Sequence, residues 1–139
     1  MGPVGKGPAG RVPAPTDRQQ IGRAGEDAVA RWYEAHGYRI VARNWRAPAG
    51  ERTRGDGTAG EIDLIAANAK AVVFCEVKTR TSDRFGSPAD AVTRLKQMGI
   101  RRLAARWLGL SSGELRSRVV RFDVASVVGA DVDVIEAAF

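Results

Sequence analysis

Several common chemistries lack their raw material in this chain. Cys75 is its one cysteine and His36 its one histidine, which excludes an intrachain disulfide, a cysteine-rich zinc site and a histidine-based metal site. The longest unbroken apolar run, Ala71-Val72-Val73-Phe74-Cys75, is far too short to cross a bilayer. A secretory signal is not expected either, because Lys6 is followed by Gly7-Pro8-Ala9-Gly10 where an apolar stretch is required. These absences point to a reducing compartment, most simply the cytoplasm, and to no membrane partner.

What is present is ordinary in bulk. The 139 residues are 44% apolar and 27% charged, which suits one globular domain with its own core. Lys and Arg number 22 against 16 Asp and Glu, a net charge of +6, which suggests a polyanionic partner. Residues 1–20 hold Pro3, Pro8, Pro13 and Pro15 among glycines and are expected to be a disordered basic tail. Residues 21–139 are expected to form a single domain. Within it, residues 47–60 carry Gly50, Gly55, Gly57 and Gly60 without apolar periodicity, the pattern of a flexible surface loop.

The rest alternates between helix and strand signals. Thr16-Asp17-Arg18-Gln19 is a capping box, and Ile21, Ala24, Ala28, Trp32 and Ala35 recur at helical spacing until His36-Gly37. Tyr38–Trp45 reads as a strand, and 61–67 with 71–78 as a hairpin turning at Asn68-Ala69-Lys70. Ser87-Pro88-Ala89-Asp90 is a helix start, with Val92, Leu95, Gly99, Leu103 and Trp107 as its buried stripe. Residues 119–128 and 132–137 are final strands. The order α-β-β-β-α-β-β implies a mixed sheet with helices packed on it.

The hairpin carries the chemistry. Alternation puts Glu76 and Lys78 on one face of their strand, and Glu61 and Asp63 on one face of theirs. If the loop is Ala69-Lys70, or the four residues from Asn68 to Ala71, Asp63 lies opposite Glu76. If it is Asn68-Ala69, Glu61 takes that place, and an odd loop turns the carboxylates apart. An even loop is favoured because it gathers Ile62, Leu64, Val73, Cys75 and Val77 on one apolar face. Facing carboxylates repel increasingly as water is excluded, and two strands offering oxygen ligands suit Mg²⁺. A lysine beside them could orient an attacking water or stabilise a charged phosphate. The competing reading is an ion-pair ladder on an exposed sheet face.

Asp63 followed by Glu76-Val77-Lys78 resembles the PD-(D/E)XK nuclease signature. More closely, Gly22-Arg23-Ala24-Gly25-Glu26, Asn44-Trp45-Arg46, Gly60-Glu61-Ile62-Asp63-Leu64-Ile65 and Phe74-Cys75-Glu76-Val77-Lys78-Thr79-Arg80 resemble the YraN-like bacterial family. Phe85-Gly86-Ser87-Pro88, Ala91-Val92, Lys96-Gln97 and Arg121-Phe122-Asp123-Val124 continue the match, which covers about residues 20 to 128. The chain departs from the superfamily pattern in the 47–60 insertion and in Ile62, which stands where a proline precedes the Asp.

The resemblance implies an α/β restriction-endonuclease-like core, α-β-β-β-α-β, with a mixed central sheet flanked by helices. It implies a metal-dependent endonuclease acting on DNA, including branched or repair intermediates of the kind Holliday-junction-resolvase-like enzymes cut. Asp63, Glu76 and Lys78 would be catalytic, and Glu26, Asp63 and Glu76 would hold Mg²⁺ or Mn²⁺. Independently of the resemblance, Gly22 and Gly25 inside the first helix are read as letting it approach the sheet closely, the alternative being fraying near its N-terminus. Arg80, Arg84, Arg94, Lys96, Gln97 and Arg101 would contact nucleic-acid phosphates, and a homodimer would suit a two-strand substrate. The alternative is a non-catalytic nucleic-acid-binding module on the same fold. Asp123 is assigned a structural role beside an arginine, Cys75 an inert core position, and the three tryptophans a packing role.

Overall fold

The computed structural model describes residues 17–48, 60–80 and 92–139. Residues 1–16 of the expected tail, with Thr16 of the capping box, the greater part of the 47–60 loop, Arg84 and the Ser87–Asp90 helix start lie outside the described residues, while residues 17–20, expected in the tail, belong to the first helix. Helix α1 (Asp17–Ala35) is followed by β1 (Arg39–Trp45), β2 (Ile62–Ala67) and β3 (Ala71–Arg80). Helix α2 (Arg94–Leu110), the single turn α3 (Gly113–Arg116), β4 (Val119–Val128) and β5 (Asp131–Ile135) complete the order. The strands form a sheet in the order β1-β2-β3-β4-β5. All neighbours are antiparallel except β3 and β4. Parallel strands cannot be joined by a hairpin, and α2 lies in the crossover between them. This is the mixed, helix-flanked α-β-β-β-α-β core of the restriction-endonuclease-like architecture. Among the described residues, no helix is long and apolar enough to cross a membrane.

Helix α1 stops because Gly37 takes φ +89°, a left-handed conformation that costs glycine little. The hairpin closes around Asn68, whose side-chain oxygen accepts from Lys70 N at 2.9 Å and Ala71 N at 2.8 Å. That turn sets the register: Leu64 pairs with Cys75, Ile65 with Phe74 and Ala66 with Val73, as the even loop requires. Alternation along the strands then sorts the core into two layers. Val72, Phe74, Phe122 and Val124 pack with Ile100, Ala104 and Trp107 of α2. On the other face Leu64, Val73, Cys75, Ala125 and Val127 pack with Val29, Ala30 and Tyr33 of α1.

Four expectations are corrected here. The buried face of α1 is Gly25, Val29, Ala30 and Tyr33, and Ile21 is exposed. Alanines all round the helix had blurred the period. In α2, Leu95 is exposed while Gly99, Ile100, Ala104 and Trp107 are buried, because the helix begins at Arg94 with the Thr93 hydroxyl capping Lys96 N. Ile62, at the strand end, packs on the α2 side and not with Leu64. A Cβ on Gly22 would meet nothing, so only Gly25 meets the close-approach requirement: a Cβ there would run into the Thr79 hydroxyl.

Candidate functional site

The β2–β3 ladder ends at Leu64↔Cys75, one residue short of Asp63 and Glu76, which the register sets level with each other. Past that point a carboxylate replaces a backbone partner: Val77 N donates to Asp63 Oδ2 at 2.9 Å. Glu26, two turns before Tyr33 on α1, and Glu61, just before β2, converge on Asp63. Oxygens of Glu26, Glu61 and Asp63 all lie within 4.8 Å of one another. Asn44 Nδ2 donates to Glu61 Oε1 at 3.0 Å and reaches both Glu26 oxygens at 3.3 and 3.4 Å. Arg46 Nε donates to Glu61 Oε2 at 3.2 Å, while Arg43 pairs with Asp27 at 2.7 Å and lies 3.9 Å from Glu26.

Glu76 sits beside this group and is only 5% exposed. Its Oε2 lies 3.3 Å from Lys78 Nζ and 3.9 Å from Lys96 Nζ. Its Oε1 is buried and has no hydrogen-bond partner among the described residues. Such an orphaned acceptor carries its full desolvation cost. The same crowding acts on Asp63, whose pKa is pushed up to about 7. Burial is the largest cause, followed by the Glu76 charge, and the Val77 hydrogen bond pulls the other way. Burial likewise raises Glu26, opposed by the Asn44 hydrogen bond and the Arg43 charge.

Of the sequence expectations, the structure therefore brings Glu26 and Asp63 together with Glu61, and sets Glu76 beside Asp63 with Lys78 and Lys96 near its Oε2. The other expected contacts that fall on described residues are placed as follows. Arg80 ends β3 and lines a groove with Ile21, Ala24, Gly25 and Thr79. Arg94 opens α2 and is exposed. Gln97 donates its amide to Val92 O at 3.1 Å, and the Arg101 guanidinium lies 4.6 Å from the Phe122 ring centroid. Two members of the site were not singled out from sequence. Glu61 appeared there only as an alternative partner for Glu76, and Asn44 only as part of a motif. The signal for Asn44 is its residue type: it takes φ +49° inside β1, where asparagine is one of the few side chains tolerated.

A second acid lies in the core. Asp123 is fully buried and accepts from Tyr33 Oη at 2.6 Å, from Arg121 through two contacts at 2.9 Å, and from Ala137 N at 3.0 Å. Arg121 also donates to Tyr38 Oη at 3.0 Å. This is the structural pairing with an arginine that the sequence suggested.

Residues 25–127 match the model of the uncharacterised protein family UPF0102. The chain belongs to the UPF0102 family. The matched span includes Glu26, Asn44, Glu61, Asp63, Glu76, Lys78 and Asp123, and the YraN-like resemblance of the motifs is to this same family. A UPF0102 protein of Beutenbergia cavernae is 46% identical over 111 residues, covering 80% of this chain and 84% of its own. Those of Moorella thermoacetica and Myxococcus xanthus are 41% identical over 128 residues and 38% over 133. They cover 88% and 93% of this chain, and 97% and 96% of their own.

Proposed function

We propose that this UPF0102 protein is a metal-dependent endonuclease that hydrolyses DNA phosphodiester bonds, with branched or repair intermediates as its substrate class. The observation that carries the reading is the buried Glu76 Oε1, without a donor among the described residues, beside an Asp63 that burial and like charge push up to about 7. Several carboxylates held together in a half-dry pocket are costly without a cation, and an all-oxygen donor set suits Mg²⁺ or Mn²⁺. The residues fit such an ion.

Asp63 and Glu76 would hold the cation, with Glu26 and Glu61 completing the oxygen set. When bound, the ion supplies Lewis-acid stabilisation of charge on a phosphodiester. The chain's own groups supply the rest. Lys78 holds its ammonium 3.3 Å from Glu76, where it can donate to a water or to a phosphate oxygen. Lys96 brings a second positive charge from α2, a helix that carries Arg94, Lys96, Arg101, Arg102 and Arg106 and no acid. Arg80, Arg94 and Arg101 would neutralise phosphates flanking the scissile one. The buried Cys75 suits a reducing, cytoplasmic setting.

The non-catalytic nucleic-acid-binding reading has one observation in its favour: Lys78 and Lys96 already neutralise one oxygen of Glu76. Incubation with linear, flapped and four-way-junction DNA in Mg²⁺, Mn²⁺ or EDTA separates the two. Metal-dependent cleavage that disappears in Asp63→Ala and Glu76→Ala supports the nuclease. Cleavage that survives both unchanged sinks the assigned site, and binding without cleavage in every metal favours the binding module.

A further inference from the structure

The acidic cluster poses a problem of its own. Glu26 arrives from a helix and Glu61 from the start of β2, so no shared backbone fixes one carboxylate relative to the other. Like charges this close drive flexible side chains apart. The residue that ties them is Asn44, which lies between the pairs Arg43↔Leu64 and Trp45↔Ile62 and so stands level with Asp63. Its amide nitrogen reaches Glu61 at 3.0 Å and the two Glu26 oxygens at 3.3 and 3.4 Å. An NH₂ group has two protons, one for each carboxylate. It also carries no formal charge, so it orders the two acids without cancelling the negative field that attracts a cation. A lysine or arginine in its place would compete with the ion.

The backbone explains why asparagine can stand here. At φ +49° most side chains are strained, while asparagine and glycine are tolerated. The left-handed step inside β1 is accompanied by a side chain that reaches both acids across the strand end. Resting on the metal-binding reading above, we infer that Asn44 is the positioning residue of the cation site, holding Glu26 and Glu61 in one orientation toward Asp63. It touches neither the ion nor the substrate and acts through the two carboxylates.

Asn44→Gly keeps the backbone conformation and removes only the amide. In the full chain, calorimetry with Mn²⁺ should show affinity about tenfold weaker or more, the usual size of an effect transmitted through a ligand's own partner, with the circular dichroism spectrum unchanged. Wild-type affinity in Asn44→Gly overturns the inference and leaves the metal reading standing. A second measurement needs no metal. The Asn44 side-chain amide protons, followed by NMR in the metal-free protein, should shift in both Glu26→Gln and Glu61→Gln. If the wild type binds no Mn²⁺, the metal reading falls. Amide resonances indifferent to both substitutions then overturn the positioning role by themselves.

Discussion

Helix α1 reaches two acidic sites, one fully buried and one half-buried, and they are built on opposite plans. Tyr33 enters the pocket of Asp123, where every neighbour is a donor: a hydroxyl, a guanidinium and a backbone amide. Two turns earlier, Glu26 enters a group in which carboxylates face carboxylates and Glu76 Oε1 has no donor among the described residues. A charge buried with a full complement of donors holds structure together. A charge buried without one costs stability and is kept where something else binds. The contrast teaches that burial of an acid says little until its donors are counted.

The contrast breaks most visibly on removal of the acids. Asp123→Ala strands the partly buried Arg121 guanidinium and the Tyr33 hydroxyl, and should cost about 3–5 kcal/mol in urea denaturation. Asp63→Ala in the metal-free protein should cost far less or stabilise it, because a repelling charge is removed. Equal losses for the two variants would erase the distinction.

A smaller effect tests how α1 is seated between the two sites. Gly25→Ala drives a Cβ into the Thr79 hydroxyl and should destabilise by roughly 1–3 kcal/mol, as overpacking does. Adding Thr79→Ala should restore much of that loss. Full stability in Gly25→Ala alone would show that the helix need not sit so close to β3.

The carboxylate cluster should also respond to pH. The folded protein holds a proton on Asp63 up to about pH 7, well above its ordinary value of 3.8, so between those limits the folded state binds more protons than the unfolded one. The Asp63 contribution to metal-free stability should therefore fall as pH rises from about 4 to about 7 and then level off. Comparing thermal midpoints across that window, Asp63→Asn should remove this component, and an unchanged profile would contradict it. The smallest effect belongs to Gly22→Ala, where the open space around Gly22 should leave a gain of up to about 1 kcal/mol from helix propensity. A loss there would reveal a contact at this end of the helix.

Much of this was legible in sequence because strands are read at a period of two. The alternation in 61–67 and 71–78 favoured an even loop and left Asp63 or Glu61 to face Glu76, a choice the Leu64↔Cys75 pairing makes for Asp63, and the predicted strand 119–128 matches β4 to the residue. The helical faces were less legible. In α1, alanines fall on several sides and dilute the period, so the buried face had to be settled by Tyr33 and Gly25 meeting the sheet. In α2, a start at Arg94 left Leu95 outside. The family resemblance supplied Glu26, but Glu61 and Asn44 join the cluster through a left-handed residue inside β1 and through the parting of β2 from β3. Neither event leaves a mark in hydrophobic periodicity. The one-turn α3 is too short to show a period at all.

That parting of the hairpin leaves one backbone group with an unusual occupation. The Val77 amide is held by the Asp63 carboxylate and not by a carbonyl of β2, so its rate of deuterium uptake is tied to a side chain that can gain a proton or turn toward a cation. Amides deeper in the hairpin, such as those of Val73 and Cys75, time the opening of the sheet. Val77 times the availability of Asp63, so a single main-chain proton serves as a clock for the state of the site.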